Sequence, residues 1–157
     1  MPDLARWGRK DSYLPSWEAR AKIAGRYLKD CASVLDIGAG AQSLRAYVKG
    51  YVPADCVQFT PDTILLDLDS DFPIDSLPQC DGLAMLGVLE HVQNPAQVIH
   101  KLSTIGRVWV VSYMDANHHK HKNLLPMKTL KACFASAGFR IDKQDEWLNQ
   151  RIFRLVR

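Results

Sequence analysis

The sequence predicts an α/β protein built on a doubly wound, mostly parallel sheet of seven strands with helices on both faces. Short apolar runs alternate along the chain with segments whose apolar residues recur at helical spacing. A glycine turn follows the first apolar run, and acidic residues end the next two. Such alternation is typical of parallel strands joined by helices, because each parallel connection has to cross over the sheet.

The size and composition of the chain indicate one globular domain. It has 157 residues, of which 47% are hydrophobic and 24% charged. We divide it into an N-terminal arm and helix, residues 1–30, and a main domain, residues 31–157. No apolar run is long enough to span a membrane, and the first residues contain no apolar signal core. The four cysteines lie far apart without a CxxC pair, so we expect free thiols in the reducing cytoplasm.

The net charge of +3 conceals an uneven distribution along the chain. Residues 1–30 hold seven basic and four acidic residues, residues 31–100 hold two and nine, and residues 101–157 hold eleven and four. The basic C-terminal part fits an anionic partner, and it equally fits an ordinary solvated surface. Nucleic acid is one such partner, although no sequence motif supports it.

Each strand is predicted from an apolar run that ends at turn residues. The two runs nearest the C-terminus are short and are predicted to form an antiparallel pair, so that the last strand is antiparallel. The predicted strands are residues 33–37, 51–56, 63–68, 81–88, 107–113, 139–141 and 151–156.

The helices are predicted from apolar residues at helical spacing and from residues typical of helix ends. Ser16 is a predicted N-cap, and Asn94 followed by Pro95 is a second one. Gly50, Gly106 and Gly138 follow the last turns of their helices. The predicted helices are residues 17–30, a segment between the glycine turn and Gly50, residues 95–105 and residues 126–137.

Polar residues and glycines end four of the predicted strands. In parallel sheets, ligands bind beyond the carboxyl ends of the strands, where the strand order reverses. A glycine turn lets the backbone approach a ligand, and an acidic residue can accept both hydroxyls of a ribose. Asp55 follows Gly38 by 17 positions, close to the ~20 expected in a nucleoside-binding unit. The sequence therefore predicts a nucleoside-containing cofactor at this edge.

The glycine turn does not match a dinucleotide site. Ser43 stands where the G-x-G-x-x-G fingerprint requires a third glycine or alanine. Asp36, just before the turn, would repel a pyrophosphate and suits a ligand with a cationic amine. An NAD-dependent oxidoreductase is therefore the least favoured of three hypotheses for the function.

Five segments, in this order, resemble the class I S-adenosylmethionine-dependent methyltransferases. The resemblance covers about residues 30–157 and implies the Rossmann-like sheet of that family. The segments are VLDIGAG (34–40), YVPAD (51–55), TILLDLD (63–69), DGLAMLGVLEHVQNP (81–95) and LKACFASAGFRI (130–141).

The resemblance implies S-adenosyl-L-methionine as the cofactor and assigns residues to it. Asp36 would hold its amine and Asp55 its ribose hydroxyls, with Asp67 at the adenine amine. The implied cofactor residues are Asp36, Gly38, Ala39, Gly40, Asp55, Cys56, Asp67, Leu68, Leu86 and Gly87. The sequence departs from the family at Gln42, where many members have a glycine. Pro61 implies that the usual helix after Asp55 is short or missing.

The implied reaction is methyl transfer to an oxygen or nitrogen of a small or anionic acceptor. Such a displacement depends mainly on alignment of donor and acceptor. Glu90 and His91 are weak candidates for a general base and its partner, and they equally suit a structural role in a loop. The histidines that follow the fifth strand are expected on a substrate-facing loop, without a metal. These histidines are His118, His119 and His121.

Two further alternatives stay open. The chain is small and has no evident lid, so it could be a non-catalytic relative that binds the cofactor and acts as a partner subunit. A second copy or another chain could also complete an open site. The aromatic residues Trp7 and Trp17 could cover the cofactor pocket from the arm, or could simply pack a helix on the sheet edge.

Overall fold

A computed structural model describes residues 3–9, 14–114, 121–123 and 125–157. Seven strands form one sheet and four α-helices accompany it. The strands are β1 (Val34–Ile37), β2 (Tyr51–Asp55), β3 (Ile64–Leu65), β4 (Gly82–Leu86), β5 (Val108–Tyr113), β6 (Arg140–Trp147) and β7 (Gln150–Val156). The helices are α1 (Leu4–Trp7), α2 (Trp17–Tyr27), α3 (Pro95–Leu102) and α4 (Met127–Ser136).

The order of the strands across the sheet is β3-β2-β1-β4-β5-β7-β6. The first five strands pair in parallel, and β7 runs antiparallel to both β5 and β6. The predicted doubly wound sheet, with its last strand antiparallel, is confirmed. Because the chain starts in the middle of the sheet and builds outward in both directions, the strand order reverses between β1 and β4.

Side chains on the two faces of the sheet form two cores. Helices α3 and α4 cover the larger core, which contains Leu35 and Ile37 of β1. Helix α2 covers the smaller core, which contains Val34 of the same strand. Successive residues of a strand point to opposite faces, so Asp36 shares the face of Val34 and points toward α2. Helices on both faces are therefore confirmed, and the alternation places one acidic side chain beneath α2.

The helix predicted after the glycine turn forms as a 3₁₀ helix, Ser43–Tyr47. Gln42 precedes it in the left-handed conformation, with φ of 61°. Its side-chain amide donates hydrogen bonds to Thr60 Oγ1 at 2.8 Å and Thr63 Oγ1 at 3.2 Å. Gln42 thus adopts the backbone conformation that glycine adopts most easily, and its side chain ties the turn to the loop after β2.

Three other predictions were wrong in extent. β3 is only two residues long because it pairs on one side alone, with β2. β6 is eight residues long, not three, because its charged side chains are exposed at the edge of the sheet and the sequence lacks an apolar run there. Ser16 lies before α2 but makes no capping hydrogen bond with its side chain.

Other local predictions are confirmed. The side chain of Asn94 accepts a hydrogen bond from Gln97 N, and Pro95 begins α3. No helix lies between β2 and β3, as Pro61 implied. All four cysteines are free thiols. In the described part of the chain, no helix is long and apolar enough to cross a membrane.

Candidate functional site

A cavity of about 750 Å³ lies beyond the carboxyl ends of the parallel strands, where the strand order reverses. Its volume is within the ~300–1,000 Å³ typical of small-molecule sites. All ten residues predicted to contact a cofactor line this cavity, and so do Glu90, His91 and His121. The structure thus brings the predicted residues together, while their contacts with a cofactor stay a prediction. His118 and His119 lie outside the described residues.

The glycine turn has a backbone that side chains would disturb. Gly38 and Gly40 have φ of 71° and 50°. A Cβ atom on Gly38 would lie 2.4 Å from Val88 Cγ2, which is closer than two carbon atoms can approach. The amide of Gly38 donates to Ala54 O at 2.8 Å, so the turn is fixed to β2. This turn forms a bare backbone wall of the cavity.

Asp55 connects the glycine turn to the end of β2. Its Oδ2 atom accepts a hydrogen bond from Gly40 N at 2.8 Å, and its Oδ1 atom accepts one from Val57 N at 3.0 Å. The residue is buried, yet it lines the cavity. Each carboxylate oxygen has more than one lone pair, so both can accept a further hydrogen bond from a ligand hydroxyl.

Asp67 and Asp69 differ in their surroundings, although both line the cavity. Asp69 forms an ion pair with Lys122 at 2.6 Å and accepts a hydrogen bond from Gln93 N at 2.8 Å. Asp67 accepts from Asp69 N at 3.0 Å. Because Asp69 is engaged by a lysine and a backbone amide, Asp67 is the better placed of the two to accept a hydrogen bond from a ligand.

Asp36 is a buried carboxyl group on the face of the sheet that α2 covers. Burial raises its pKa to about 7, against the opposing effects of a hydrogen bond from Tyr51 and the positive charge of Arg20. The hydroxyl of Tyr51 donates to Asp36 Oδ2 at 2.7 Å. A cationic group placed beside Asp36 would favour its ionised form.

Arg20 is the functional residue that the sequence analysis missed. Its guanidinium is 6% exposed and lies over the rings of Trp17 and Trp147, at 5.1 and 5.3 Å from their centroids. Nη1 donates to Gln150 Oε1 at 3.0 Å, whereas Nε is buried without a hydrogen-bond partner. Burial lowers its pKa to about 10. The sequence contains a signal for this residue, since Arg20 lies on the apolar stripe of α2 beside the buried Ala21 and Ala24.

No residue in the described ranges forms an ion pair with Arg20. Its nearest acidic neighbours, Glu90 and Asp36, act on it through their charges rather than by contact. Both carboxyl groups have pKa values raised to about 7, so each is partly neutral at neutral pH. A buried cation in this setting is stabilised when an anion enters the cavity.

Glu90 is held at the opposite wall of the cavity, after β4. Oε1 accepts a hydrogen bond from Met114 N at 2.8 Å, and Oε2 is buried without a partner. Burial raises the pKa of Glu90 to about 7. The neighbouring His91 ring meets the rings of Trp7 and His121 edge to face, at 5.1 and 5.5 Å between centroids. These three rings join the N-terminal arm to the loops after β4 and β5.

Replacing Glu90 with glutamine should weaken the dependence of stability on pH. In the unfolded chain this carboxyl loses its proton near pH 4, whereas the folded protein keeps it until about pH 7. The unfolded state therefore binds fewer protons across this window, and the free energy of unfolding falls as the pH rises. In urea titrations between pH 5 and 7, the ligand-free variant should show a shallower fall, by up to about 1.4 kcal/mol per pH unit. Identical slopes for both proteins would contradict the burial of an ionisable Glu90.

The described ranges contain no group of three or more His, Cys, Asp or Glu side chains placed to hold a metal ion. A scan of protein-family models gives no match to this sequence, and a search of curated proteins gives none either. Solved structures do match, however, over most of their length.

Three of these structures are described as methyltransferases. Magnesium protoporphyrin IX methyltransferase from Synechocystis PCC 6803, with bound SAH (S-adenosylhomocysteine), is 14% identical with a TM-score of 0.66; the match covers 90% of this chain and 83% of that one. A SAM-dependent methyltransferase from Archaeoglobus fulgidus is 17% identical with a TM-score of 0.68, covering 89% and 92%. A chain in the complex between the Haloferax volcanii Trm112 methyltransferase activator and the putative methyltransferase is 14% identical with a TM-score of 0.65, covering 99% and 98%.

These matches show that the chain has the fold of the class I S-adenosylmethionine-dependent methyltransferases. The expected family resemblance is thus confirmed at the level of the fold. The strand order and the antiparallel β7 belong to that shared architecture.

Proposed function

We propose that this protein transfers a methyl group from S-adenosyl-L-methionine to an oxygen or nitrogen of a small or anionic acceptor. The observation that carries the proposal is the convergence of ten predicted residues on one cavity, together with the unpaired cation of Arg20. Arg6, His121 and Lys122 also line this cavity, which suits an acidic acceptor.

The residues present fit the cofactor along its whole length. Asp55 would accept the two ribose hydroxyls, and Asp67 with Leu68 would meet the adenine. At the other end of the cofactor, Asp36 would attract the amine, directly or through water. Arg20 would bind the methionine carboxylate, the anion that its uncompensated charge requires. The bare backbone of the glycine turn, which excludes a Cβ atom, would lie along the methionine part.

The chemistry of the site depends on position more than on proton transfer. When bound, the cofactor supplies a methyl group on a positively charged sulfur. Leu86 and Gly87 would place their backbone beside that group, while Trp17 and Trp147 exclude water from the neighbouring space. Glu90 would be available as a proton acceptor near neutral pH, because burial raises its pKa to about 7.

Turnover is the direct test of this proposal. The protein is incubated with S-adenosylmethionine and a panel of hydroxyl- and amine-containing acceptors, and release of S-adenosylhomocysteine is followed by mass spectrometry. We expect release with at least one acceptor and its loss in the variant Asp55→Ala. Binding of the cofactor without turnover on any acceptor would contradict an enzyme that acts alone.

A partner subunit is the second candidate role, and the match to a chain in a complex with a methyltransferase activator favours it. In this proposal the chain binds the cofactor but needs a partner, or a second copy of itself, to complete the acceptor side. Size-exclusion chromatography with light scattering would detect the second copy. The two roles are distinguished when turnover is absent for the isolated chain and appears once a partner is added.

A further inference from the structure

The cavity extends well past the residues assigned to the cofactor. Beyond the glycine turn and Gly87, its walls come from α1, from the start of α2 and from the turn between β6 and β7. We call this part the acceptor chamber and define it by Trp7, Leu14, Trp17, Trp147 and Leu148. All five side chains are apolar or aromatic, so the acceptor chamber favours an apolar ring.

The charged groups beside the acceptor chamber are largely engaged elsewhere. Lys122 pairs with Asp69 at 2.6 Å. The guanidinium of Arg6 lies over the ring of Trp7, at 4.0 Å from its centroid. Arg20 is the residue that we assign to the cofactor carboxylate. The tryptophan and leucine side chains therefore dominate what an acceptor meets in the chamber.

Leu148 is the most informative of these residues. It is the first of two residues that connect β6 to β7, and its φ is 52°. Two-residue hairpin loops favour glycine, asparagine or aspartate where φ is positive, and a leucine there is strained. Its side chain is also 75% exposed, so packing within the fold does not account for it. A strained, exposed apolar residue at the mouth of a cavity indicates a role in binding.

The other exposed apolar residues support this placement. Four large apolar side chains are more than half exposed in the described ranges: Leu4, Leu14, Leu65 and Leu148. Leu14 and Leu148 line the mouth of the cavity, and Leu4 lies one residue after Asp3, which also lines it. Leu65 alone lies elsewhere, on the edge strand β3. The exposed apolar surface is therefore concentrated around the acceptor chamber.

We propose that the methyl acceptor is a small molecule with an aromatic ring and an apolar substituent. The ring would lie among the tryptophans of the acceptor chamber, and the substituent would extend over Leu148 at its mouth. This inference rests on the proposed function, because it names the class of substrate for the same site. It makes Leu148 a specificity-determining residue that contacts the substrate.

The test uses a series of 4-alkylphenols, from phenol to 4-octylphenol, with and without saturating S-adenosylhomocysteine. Three of the four tryptophans line the cavity, and the fourth, Trp109, is fully buried in the core, so quenching of tryptophan fluorescence reports binding in the chamber. The wild-type affinity should rise with chain length, by at most roughly fourfold per buried methylene. In Leu148→Gly this rise should shrink, with a loss of roughly tenfold for the longest chain.

The variants separate binding from folding. Glycine accepts a positive φ without strain, so Leu148→Gly should melt at the wild-type temperature or above it. Leu148→Met should keep the wild-type dependence on chain length, and Leu65→Ala is the matched control for loss of an exposed leucine. An affinity that is independent of chain length, or equal in wild type and Leu148→Gly, would overturn the inference. If S-adenosylhomocysteine does not bind, the proposed function fails, and the phenol series without it still decides what the chamber binds.

Discussion

Replacing Arg20 with methionine should abolish most of the affinity for S-adenosylhomocysteine while leaving the fold intact. The guanidinium is buried and has no ion pair among the described residues, so its desolvation is compensated only when a carboxylate binds. Loss of one partner of a buried charge pair costs about 2–5 kcal/mol in binding. Methionine fills a similar apolar volume, and replacing an uncompensated buried charge in this way is often neutral or stabilising.

The ligand 5′-methylthioadenosine distinguishes this account from a structural role for Arg20. It contains the adenosine and the sulfur but lacks the amino-acid part, so its affinity should be unchanged in Arg20→Met. Isothermal titration calorimetry with both ligands measures the difference. Arg107→Met, which removes an exposed arginine just before β5, is the matched control. An equal loss of affinity for both ligands would show that Arg20 shapes the cavity rather than binding the carboxylate.

Asp55→Ala should weaken both ligands by a similar factor. The ribose is common to them, and the loss of hydrogen bonds to a buried carboxylate costs roughly 1–3 kcal/mol. The substitution also leaves Gly40 N and Val57 N without their acceptor, so the thermal stability should fall as well. Asp55→Asn keeps one carbonyl oxygen and should give an intermediate affinity.

The outcome for Asp55 is compared with that for Asp71→Ala, which removes an exposed carboxylate that pairs with Lys101. This control should leave the affinity for both ligands at the wild-type value. Circular dichroism of each variant at the temperature of the titration establishes that the measured protein is folded. If Asp55→Ala binds both ligands as wild type does, the ribose lies elsewhere and the carboxylate only fixes the glycine turn.

The parts of the fold that the sequence predicts are those whose local signals agree with their surroundings. β1, β4 and β5 are apolar runs because they are buried on both faces of the sheet. α3 has an asparagine cap, a proline in its first turn and a strong apolar stripe, and its start is predicted to the residue. The ligand residues could be predicted because the carboxyl ends of parallel strands converge on one edge.

The features that the sequence does not reveal depend on contacts between distant segments. β6 is polar because both its faces are exposed, so nothing in its composition distinguishes it from a loop. Gln42 occupies a left-handed position only because Thr60 and Thr63 hold its side chain. Arg20 contacts residues more than a hundred positions away, at the turn between β6 and β7, so its role becomes visible only in the folded structure.

Titration of S-adenosylhomocysteine into the purified protein tests the central claim most directly. Isothermal titration calorimetry, with NAD as the comparison ligand, requires no knowledge of the acceptor. The arrangement of Asp36, Asp55 and Arg20 around one cavity predicts one-to-one binding of S-adenosylhomocysteine and no binding of NAD. Absence of binding by S-adenosylhomocysteine, or preferential binding of NAD, would contradict the account of this site.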